Sequence, residues 1–321
     1  MTLNRRFCTA PMMDLSDRHC RMMWRQITRH SVLYTEMVTS AALARGNNPE
    51  RFLDYSEPEH PIALQVGGYL PEELSNAAKM ADQWGYDEIN LNVGCPSDRV
   101  QNGLIGAVLM GHADKVSAGV KAMQDATSMP VTVKHRIGID DYDSYEFVRD
   151  FIGEVSETGC DVFIIHARKA ILSGLSPKEN REIPPLNYPR VYQLKRDFPH
   201  LEIIINGGIK TLEECQEHLQ HVDGVMVGRE AYYNPMMMTQ VDAALYGAQP
   251  QALQAEQVIA NTLPYLDQVV KNGNHPKYVI KHLLALIQNR PGARKFRRFL
   301  SEHMHKPDAG RHTVEQALAL F

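Results

Sequence analysis

The chain has 321 residues, 44% of them hydrophobic and 22% charged, which is typical of a globular protein and excludes disordered and fibrous classes. No run approaches the roughly 20 apolar residues of a membrane span, and the N-terminus does not resemble a signal peptide, so we expect a cytoplasmic protein without membrane contact. The net charge of −4 is uneven: residues 245–321 carry +5 (ten Lys and Arg, five Asp and Glu) and the remainder carries −9. A basic C-terminal segment on an acidic body favours an anionic partner, most commonly nucleic acid.

Eight short apolar or β-branched runs recur along the first three quarters of the chain, with helical patterns between several of them. The predicted strands are Phe7–Pro11, Leu33–Met37, Ile62–Val66, Glu88–Asn92, Val131–His135, Val162–His166, Ile203–Asn206 and Val225–Gly228. The predicted helices are 72–84, 113–126, 144–158 and 212–219, and segment 38–61 is predicted as loop and short helix. This α/β pattern predicts a (β/α)8 TIM barrel rather than an open doubly wound sheet.

Beyond residue 250 the pattern is helical, with no convincing strand. The predicted helices are 255–270, 277–287, 294–303 and 314–321, and glycines and prolines separate them. We therefore predict two domains, a catalytic barrel over residues 1–244 and a C-terminal all-helical domain over residues 245–321.

The stretch 87–97 is predicted as a short strand followed by a loop that carries an amide, a glycine and a thiol. Pro96 removes a backbone donor and favours extended geometry at Cys95, and Gly94 allows a turn or a close approach to a ligand. Barrel enzymes place their active sites at the C-terminal ends of strands, so Cys95 is the leading catalytic candidate. A buried structural thiol and a nucleophilic pair with His166 are the alternatives.

Polar residues also occupy predicted strand ends where core residues are expected. Each has an ordinary explanation alone, such as a loop cap, a satisfied core histidine or a lysine that reaches solvent. Together they favour a single active-site mouth. They are Gln65, Asn90, Asn92, Lys134, His166, Asn206 and Arg229.

Glycine motifs follow the last two predicted strands, at 206–208 and 228–229. Backbone N–H groups exposed by glycines there, with an arginine beside them, form a phosphate cradle in the usual barrel position. Residues 10–13, Ala-Pro-Met-Met, offer backbone groups and apolar surface for a flat ring. A phosphate site at one end and a ring slot at the other indicate FMN.

The five cysteines, at positions 8, 20, 95, 160 and 215, are odd in number, are scattered and form no C-x-x-C pair. We expect them to be reduced and expect no metal site.

These motifs together resemble the tRNA-dihydrouridine synthases, almost from end to end. They are Ala10-Pro11-Met12, Gln65–Gly68, Asn90–Pro96, Lys134–Gly138, His166-Ala167-Arg168 and Asn206–Ile209. The likeness is closest to bacterial subfamily A, through Asp98–Gly103 and Arg181–Leu186. Residues 104–109 differ slightly from the commoner family wording, with no expected consequence.

The resemblance implies an enzyme that reduces uridine to 5,6-dihydrouridine in the tRNA D-loop, at U20 and U20a, with bound FMN and with NADPH as a transient reductant. The implied ring contacts are Pro11, Met12, Met13, Gln65, Lys134 and His166. The implied phosphate contacts are Asn206, Gly207, Gly208, Gly228 and Arg229. Cys95 matches the family's catalytic acid: hydride is expected at C6 of the base and a proton from Cys95 at C5, because an ordinary thiol is mostly protonated at neutral pH. We expect Lys134 to stabilise the reduced flavin and Asn92 to orient the base.

The target base is stacked inside folded tRNA and must be flipped into the mouth. Arg294, Arg297 and Arg298 share one face of a predicted helix and are expected to meet phosphates, although a solvated basic face is the alternative. Similarity to subfamily A adds Lys178 and Arg181, with Arg294 and Arg297, as tRNA contacts.

Three other functions stay open on the residues alone. They are an FMN barrel acting on a free pyrimidine, such as a dihydroorotate dehydrogenase, a Schiff-base aldolase using Lys134, and an RNA-binding protein on an inactive barrel. The basic helical domain disfavours the first two, and Cys95, Lys134 and the phosphate glycines disfavour the third. No nicotinamide motif is visible, which fits a visiting NADPH. We expect a monomer and no DNA partner.

Overall fold

A computed structural model of the protein describes residues 3–97 and 104–320. Eight parallel strands close into a barrel in chain order. They are β1 (Phe7–Thr9), β2 (Val32–Thr39), β3 (Ile62–Gly67), β4 (Glu88–Val93), β5 (Val131–Arg136), β6 (Val162–His166), β7 (Glu202–Asn206) and β8 (Gly224–Val227). The predicted TIM barrel is confirmed. The segment Asp98–Gly103, which carries part of the subfamily resemblance, lies outside the described residues.

Helices surround the barrel and continue beyond it. They are α1 (Arg18–Arg25), α2 (Ser40–Arg45), α3 (Glu50–Leu53), α4 (Pro71–Trp84), α5 (Ala113–Gln124), α6 (Tyr145–Ser156), α7 (Tyr188–Asp197), α8 (Leu212–His218), α9 (Arg229–Tyr233), α10 (Val241–Tyr246), α11 (Ala255–Lys271), α12 (Lys277–Leu283), α13 (Ala293–His303) and α14 (Arg311–Ala319). Short 3₁₀ turns lie at Glu57–Glu59, Gly106–Gly111, Glu179–Arg181 and Pro235–Gln240. Helices α1 and α7 were not predicted, because both are rich in charged residues; in α1, Arg21 and Arg25 are nevertheless buried.

The N-terminal ends of the strands enclose a buried ion cluster. Arg5 Nε donates to Glu88 Oε2 at 2.6 Å and Arg5 Nη1 donates to Glu202 Oε2 at 2.8 Å. Glu88 also accepts hydrogen bonds from Thr132 Oγ1, at 2.7 Å, and from the Tyr34 hydroxyl. Burial alone would lower the pKa of Arg5, but its carboxylate partners outweigh burial and raise that pKa above its ordinary value. At this end of the barrel the buried cation is therefore compensated by carboxylates of the protein itself.

The C-terminal helices dock on the barrel through α1. Asp17 caps the N-terminus of α1, accepting from Cys20 N at 2.9 Å. Its carboxylate also lies 2.8 Å from Lys281 Nζ and 2.8 Å from His282 Nε2, both on α12. The C-terminal helical region is confirmed. Its first helix begins at Ala255, whereas α10 ends at Tyr246, whose hydroxyl bonds the backbone of Phe7 under the barrel. The structural change therefore falls just beyond residue 245, and the division into two domains stays a prediction.

Within residues 3–97 and 104–320, no helix is long and apolar enough to cross a membrane.

Candidate active site at the barrel mouth

A line of side-chain hydrogen bonds rises through the barrel from the buried ion cluster to the mouth. Thr132 Oγ1 donates to Glu88 and accepts from Asn90 Nδ2 at 2.8 Å. Asn90 Oδ1 accepts from Gln65 Nε2 at 2.8 Å, and Gln65 Oε1 accepts from Asn92 Nδ2 at 2.8 Å. We call this line the amide ladder; it runs from Glu88 through Thr132, Asn90 and Gln65 to Asn92. In the register of β3 and β4, Gln65 lies opposite Asn90, so the two amides at core positions satisfy each other's hydrogen bonds.

The amide ladder ends on the loop that carries Cys95. Asn92 Oδ1 accepts from Cys95 N at 3.0 Å and from Gly94 N at 3.1 Å. On the other side, Cys95 O accepts from Ala107 N at 2.8 Å. Gly106 has φ +82°, and a Cβ there would lie 2.4 Å from Cys95 O, so only glycine fits this close approach. The loop is thus held from both sides.

Cys95 differs from the other cysteines in its surroundings. It is half-buried at the mouth, whereas Cys8, Cys20, Cys160 and Cys215 are all buried. Burial raises the pKa values of those four thiols, to about 12 for Cys160 and Cys215. Among the five thiols, Cys95 alone is therefore accessible to a substrate.

Lys134 reaches the same mouth from β5. Its Nζ donates to Asn206 Oδ1 at 3.1 Å, and Asn206 Nδ2 is fixed by Met226 O at 2.7 Å. Burial, with a smaller contribution from the Arg136 charge, lowers the Lys134 pKa to about 7. Burial, Arg136 and Lys134 likewise lower the pKa of His166 well below its ordinary value. Lys134 and His166 therefore lie in a region where neighbouring cations would favour the binding of a negatively charged group.

The predicted phosphate glycines lie beside the predicted ring contacts. Gly207 has φ +116°, and a Cβ there would lie 2.6 Å from His166 Cδ2. Gly208, with φ +77°, has Leu186 and Tyr188 as close neighbours. A Cβ on Gly228 would lie 3.5 Å from Ala10 Cβ and 3.7 Å from Met12 Sδ, which places the ends of β8 and β1 together.

The predicted ring contacts are not equally enclosed. Met12 is partly buried, and its backbone N–H donates to Ser16 Oγ at 2.9 Å. Pro11 is partly buried as well, whereas the Met13 side chain is 58% exposed. Met13 is therefore the predicted contact with the fewest surrounding groups.

Arg229 has a protein partner that the sequence did not reveal. Its Nη1 lies 2.6 Å from Glu182 Oε1, and its Nη2 donates to Arg181 O at 3.4 Å. The pair joins the start of α9 to the turn that carries Lys178 and Arg181, both exposed. An anion at Arg229 must compete with the Glu182 carboxylate.

Contacts also link the mouth to the basic helix α13. Gln288 Nε2 donates to Tyr233 O at the end of α9. On α13, Arg297 Nη1 donates at 3.0 Å to the carbonyl oxygen of Ile287, the residue before Gln288. Arg294 is exposed, and Arg298 pairs with Glu302 at 2.8 Å. The predicted tRNA contacts of the barrel and of the helical region thus lie on linked segments.

Three residues of the site carried no predicted role. Glu88 starts the amide ladder, Gly106 lies against Cys95 O, and Arg136 bonds Gly94 O at 2.9 Å. Glu88 begins β4 and Arg136 ends β5, so a charged residue at a strand end was the available signal for both. Gly106 had no signal, because its closeness to Cys95 is a tertiary contact. No cluster of three His, Cys, Asp or Glu suited to a metal occurs in the described part of the chain.

A family model described as dihydrouridine synthase (Dus) matches residues 8–320. The chain is 56% identical over 320 residues to the tRNA-dihydrouridine(20/20a) synthase of Vibrio cholerae serotype O1, covering 99% of this chain and 97% of that protein. It is 58% identical over 316 residues to the protein of that name from Escherichia coli K12, covering 98% and 91%. The Salmonella typhi protein of the same name is 58% identical over 317 residues, covering 98% and 95%.

Proposed function

Because the chain belongs to the dihydrouridine synthase family, we propose that it reduces uridine to 5,6-dihydrouridine in the D-loop of tRNA, at U20 and U20a. The two positions are those in the name of its relatives, tRNA-dihydrouridine(20/20a) synthase. The observation that carries the proposal is the single accessible thiol, Cys95, held at a cation-rich barrel mouth by the amide ladder.

Flavin dependence is general in this family, and the residues present fit a flavin phosphate and ring. Lys134 and Arg136 have no carboxylate within hydrogen-bond distance in the described residues, so an anionic group would compensate them. A Cβ on Gly207 would lie 2.6 Å from His166 Cδ2, so the backbone there approaches His166 more closely than a side chain would allow. We assign FMN, with its ring at Pro11, Met12, Met13, Gln65, Lys134 and His166. Its phosphate is assigned to Asn206, Gly207, Gly208, Gly228 and Arg229.

When bound and reduced, the flavin supplies hydride to C6 of the uracil ring, and NADPH is the reductant we assign. The protein supplies the proton. The Cys95 S–H bond breaks as the C5–H bond forms, which leaves a thiolate that regains a proton from solvent. Lys134 places a positive charge at the mouth, where it stabilises negative charge on a ligand.

Lys178, Arg181, Arg294 and Arg297 are assigned to tRNA phosphates, and the target uridine is flipped toward Cys95. Asn92 is assigned to the base. We place the reaction in the cytoplasm and assign a monomer that acts on tRNA and not on DNA.

The test uses purified protein, NADPH and tRNA from cells that lack the activity. We expect a yellow protein that forms dihydrouridine at positions 20 and 20a. Matched tRNAs in which only these two uridines are replaced by cytidine serve as controls. Oxidation of dihydroorotate to orotate, or aldol cleavage, without dihydrouridine formation would favour the alternatives, and a flavin-loaded protein that leaves tRNA unchanged would contradict the proposal.

A further inference from the structure

Arg136, the last residue of β5, joins three separate segments of the mouth. Its Nε donates to Gly94 O at 2.9 Å, one residue before Cys95. Its Nη1 donates to Lys169 O at 3.0 Å and to Asn180 O at 3.0 Å. The residue is only 2% exposed. A single guanidinium therefore connects the Cys95 loop, the end of β6 and the turn at Glu179–Arg181.

The turn that Arg136 contacts is itself held by hydrogen bonds. The side chain of buried Asn180 donates to Ile171 O at 2.9 Å and accepts from Ile171 N at 2.7 Å. Lys178 and Arg181, which we assign to tRNA, lie in the same turn as Asn180. Arg136 therefore links the turn assigned to tRNA to the loop that carries Cys95. Gly94 also packs on the Arg136 stem, since a Cβ there would lie 3.5 Å from Arg136 Cγ.

The charge of Arg136 is balanced differently from that of an ordinary buried arginine. All three of its bonds go to backbone carbonyls, and the described residues give it no carboxylate within hydrogen-bond distance. Burial, with smaller contributions from the Arg181 and Arg168 charges, lowers its pKa to about 10. The opposing contribution comes from Cys95, whose thiolate form would favour the charged guanidinium. Arg136 stays charged at neutral pH and lies within electrostatic range of the sulfur.

We propose that Arg136 is the positioning residue for the Cys95 acid, fixing its loop through Gly94 O and stabilising the thiolate that remains after proton transfer. The inference rests on the proposed function for the identity of the proton acceptor. The planar guanidinium is needed because its Nε reaches Gly94 O while its Nη1 reaches Lys169 O and Asn180 O. A lysine would keep the charge but could not make these bonds in the same geometry. The geometry and the charge can therefore be separated by substitution.

The chain contains a matched control for burial. Arg25 is 8% exposed and also bonds only backbone carbonyls, including Thr28 O at 2.9 Å and Glu59 O at 2.8 Å. Burial lowers its pKa to about 10 as well. It lies near the N-terminal ends of β2 and β3, away from Cys95. Arg25→Met therefore reproduces the loss of a buried, carbonyl-bound guanidinium without changing the mouth.

The first experiment measures alkylation of Cys95 by iodoacetamide in the folded protein near pH 7.5, without tRNA. The other four thiols are buried, so mass spectrometry reports Cys95 selectively. We expect Arg136→Met to slow alkylation by about threefold to tenfold, because thiolate is the reactive form and it loses a neighbouring cation. Arg136→Lys should stay near the wild-type rate, and Arg25→Met should not change it. If Arg136→Met does not fold, Arg136→Gln replaces it with the same expectation.

The second experiment measures tRNA turnover by the same variants. Arg136→Lys should lower kcat several-fold while its alkylation rate is retained, since the charge is present and the loop is misplaced. Arg136→Met should lose more. A folded, flavin-bearing Arg136→Met protein that alkylates at the wild-type rate overturns the charge role, and wild-type kcat in Arg136→Lys overturns the positioning role. The alkylation result does not depend on the substrate, so it stands even if wild-type protein fails to modify tRNA.

Discussion

The two ends of the barrel interior both contain buried cations, but they balance them in opposite ways. At the N-terminal ends of the strands, Arg5 lies between Glu88 and Glu202, and its pKa is raised. At the mouth, Lys134 and Arg136 bond neutral amides and carbonyls, and their pKa values fall to about 7 and about 10. The protein supplies carboxylates to the cation at one end, whereas in the described residues the cations at the other end have no carboxylate within hydrogen-bond distance. This difference is why we assign the anionic ligand to the mouth and not to the opposite end of the barrel.

The largest expected effect is at the thiol. Cys95→Ala should lower dihydrouridine formation by at least about 100-fold, the lower range for losing a general acid. Flavin content and flavin reduction by NADPH should stay normal, because the thiol serves only the proton. The two steps are measured separately, with Cys215→Ala as a control at a buried thiol. Near-normal tRNA turnover in Cys95→Ala would sink the acid role.

The compensated end is tested by Glu88→Gln. Removing one partner of a buried ion pair should lower the free energy of unfolding by about 3 kcal/mol, because Arg5 keeps only Glu202. Urea denaturation of the flavin-free protein measures the loss. Glu202→Gln should cost less, since the Glu202 side chain is 31% exposed and Glu88 is fully buried. If Glu88→Gln releases flavin but leaves stability unchanged, the contrast between the ends is wrong.

At the mouth, Lys134 should make the stability of the flavin-free protein depend on pH. The Lys134 pKa is about 7 in the folded chain against 10.5 ordinarily, so between these values the unfolded chain binds a proton that the folded chain does not. Stability of the flavin-free protein should therefore rise from about pH 7 to pH 10, by up to about 1.4 kcal/mol per pH unit.

Lys134→Met should remove this rise and weaken flavin binding without destabilising the flavin-free protein at pH 7. Lys195→Met is the control, because Lys195 is paired with Asp223 at 2.8 Å. An unchanged slope in Lys134→Met would show that Lys134 is not the group that titrates.

The smallest expected effect lies on helix α13, where Arg294 is exposed and Arg297 is half-buried. Arg294→Ala with Arg297→Ala should weaken tRNA binding and flatten the plot of log affinity against log salt by somewhat under one unit per lost contact. Arg311→Ala is the control, since Arg311 pairs with Asp267 on α11. Flavin content should not change. Normal tRNA binding and salt dependence in the double variant would remove α13 from the RNA surface.

The sequence predicted the barrel well and the mouth only in outline. All eight strands were found because each carries a short apolar or β-branched run, as Ile203–Ile205 shows. Helix α1 was missed because two of its buried residues are arginines, which imitate a surface segment. Strand-end amides were predicted at one mouth, but their order in the amide ladder depends on strand register, which is a tertiary property. The Arg229–Glu182 pair, 47 residues apart, left no local signal.

The amide ladder has a further chemical consequence at its upper end. A carboxylate only accepts hydrogen bonds, so Thr132 must donate to Glu88 and can then accept from Asn90. In the same way, Gln65 donates to Asn90 and Asn92 donates to Gln65. Both lone pairs of Asn92 Oδ1 are then used by Gly94 and Cys95, and its nitrogen keeps one N–H beyond the bond to Gln65. Asn92 can therefore offer a pyrimidine a donor but no acceptor. In the base contact that we propose for Asn92, such a donor suits the C4 carbonyl of uracil and not the C4 amino group of cytosine, so base choice at the mouth would follow from the order of hydrogen bonds that starts at Glu88.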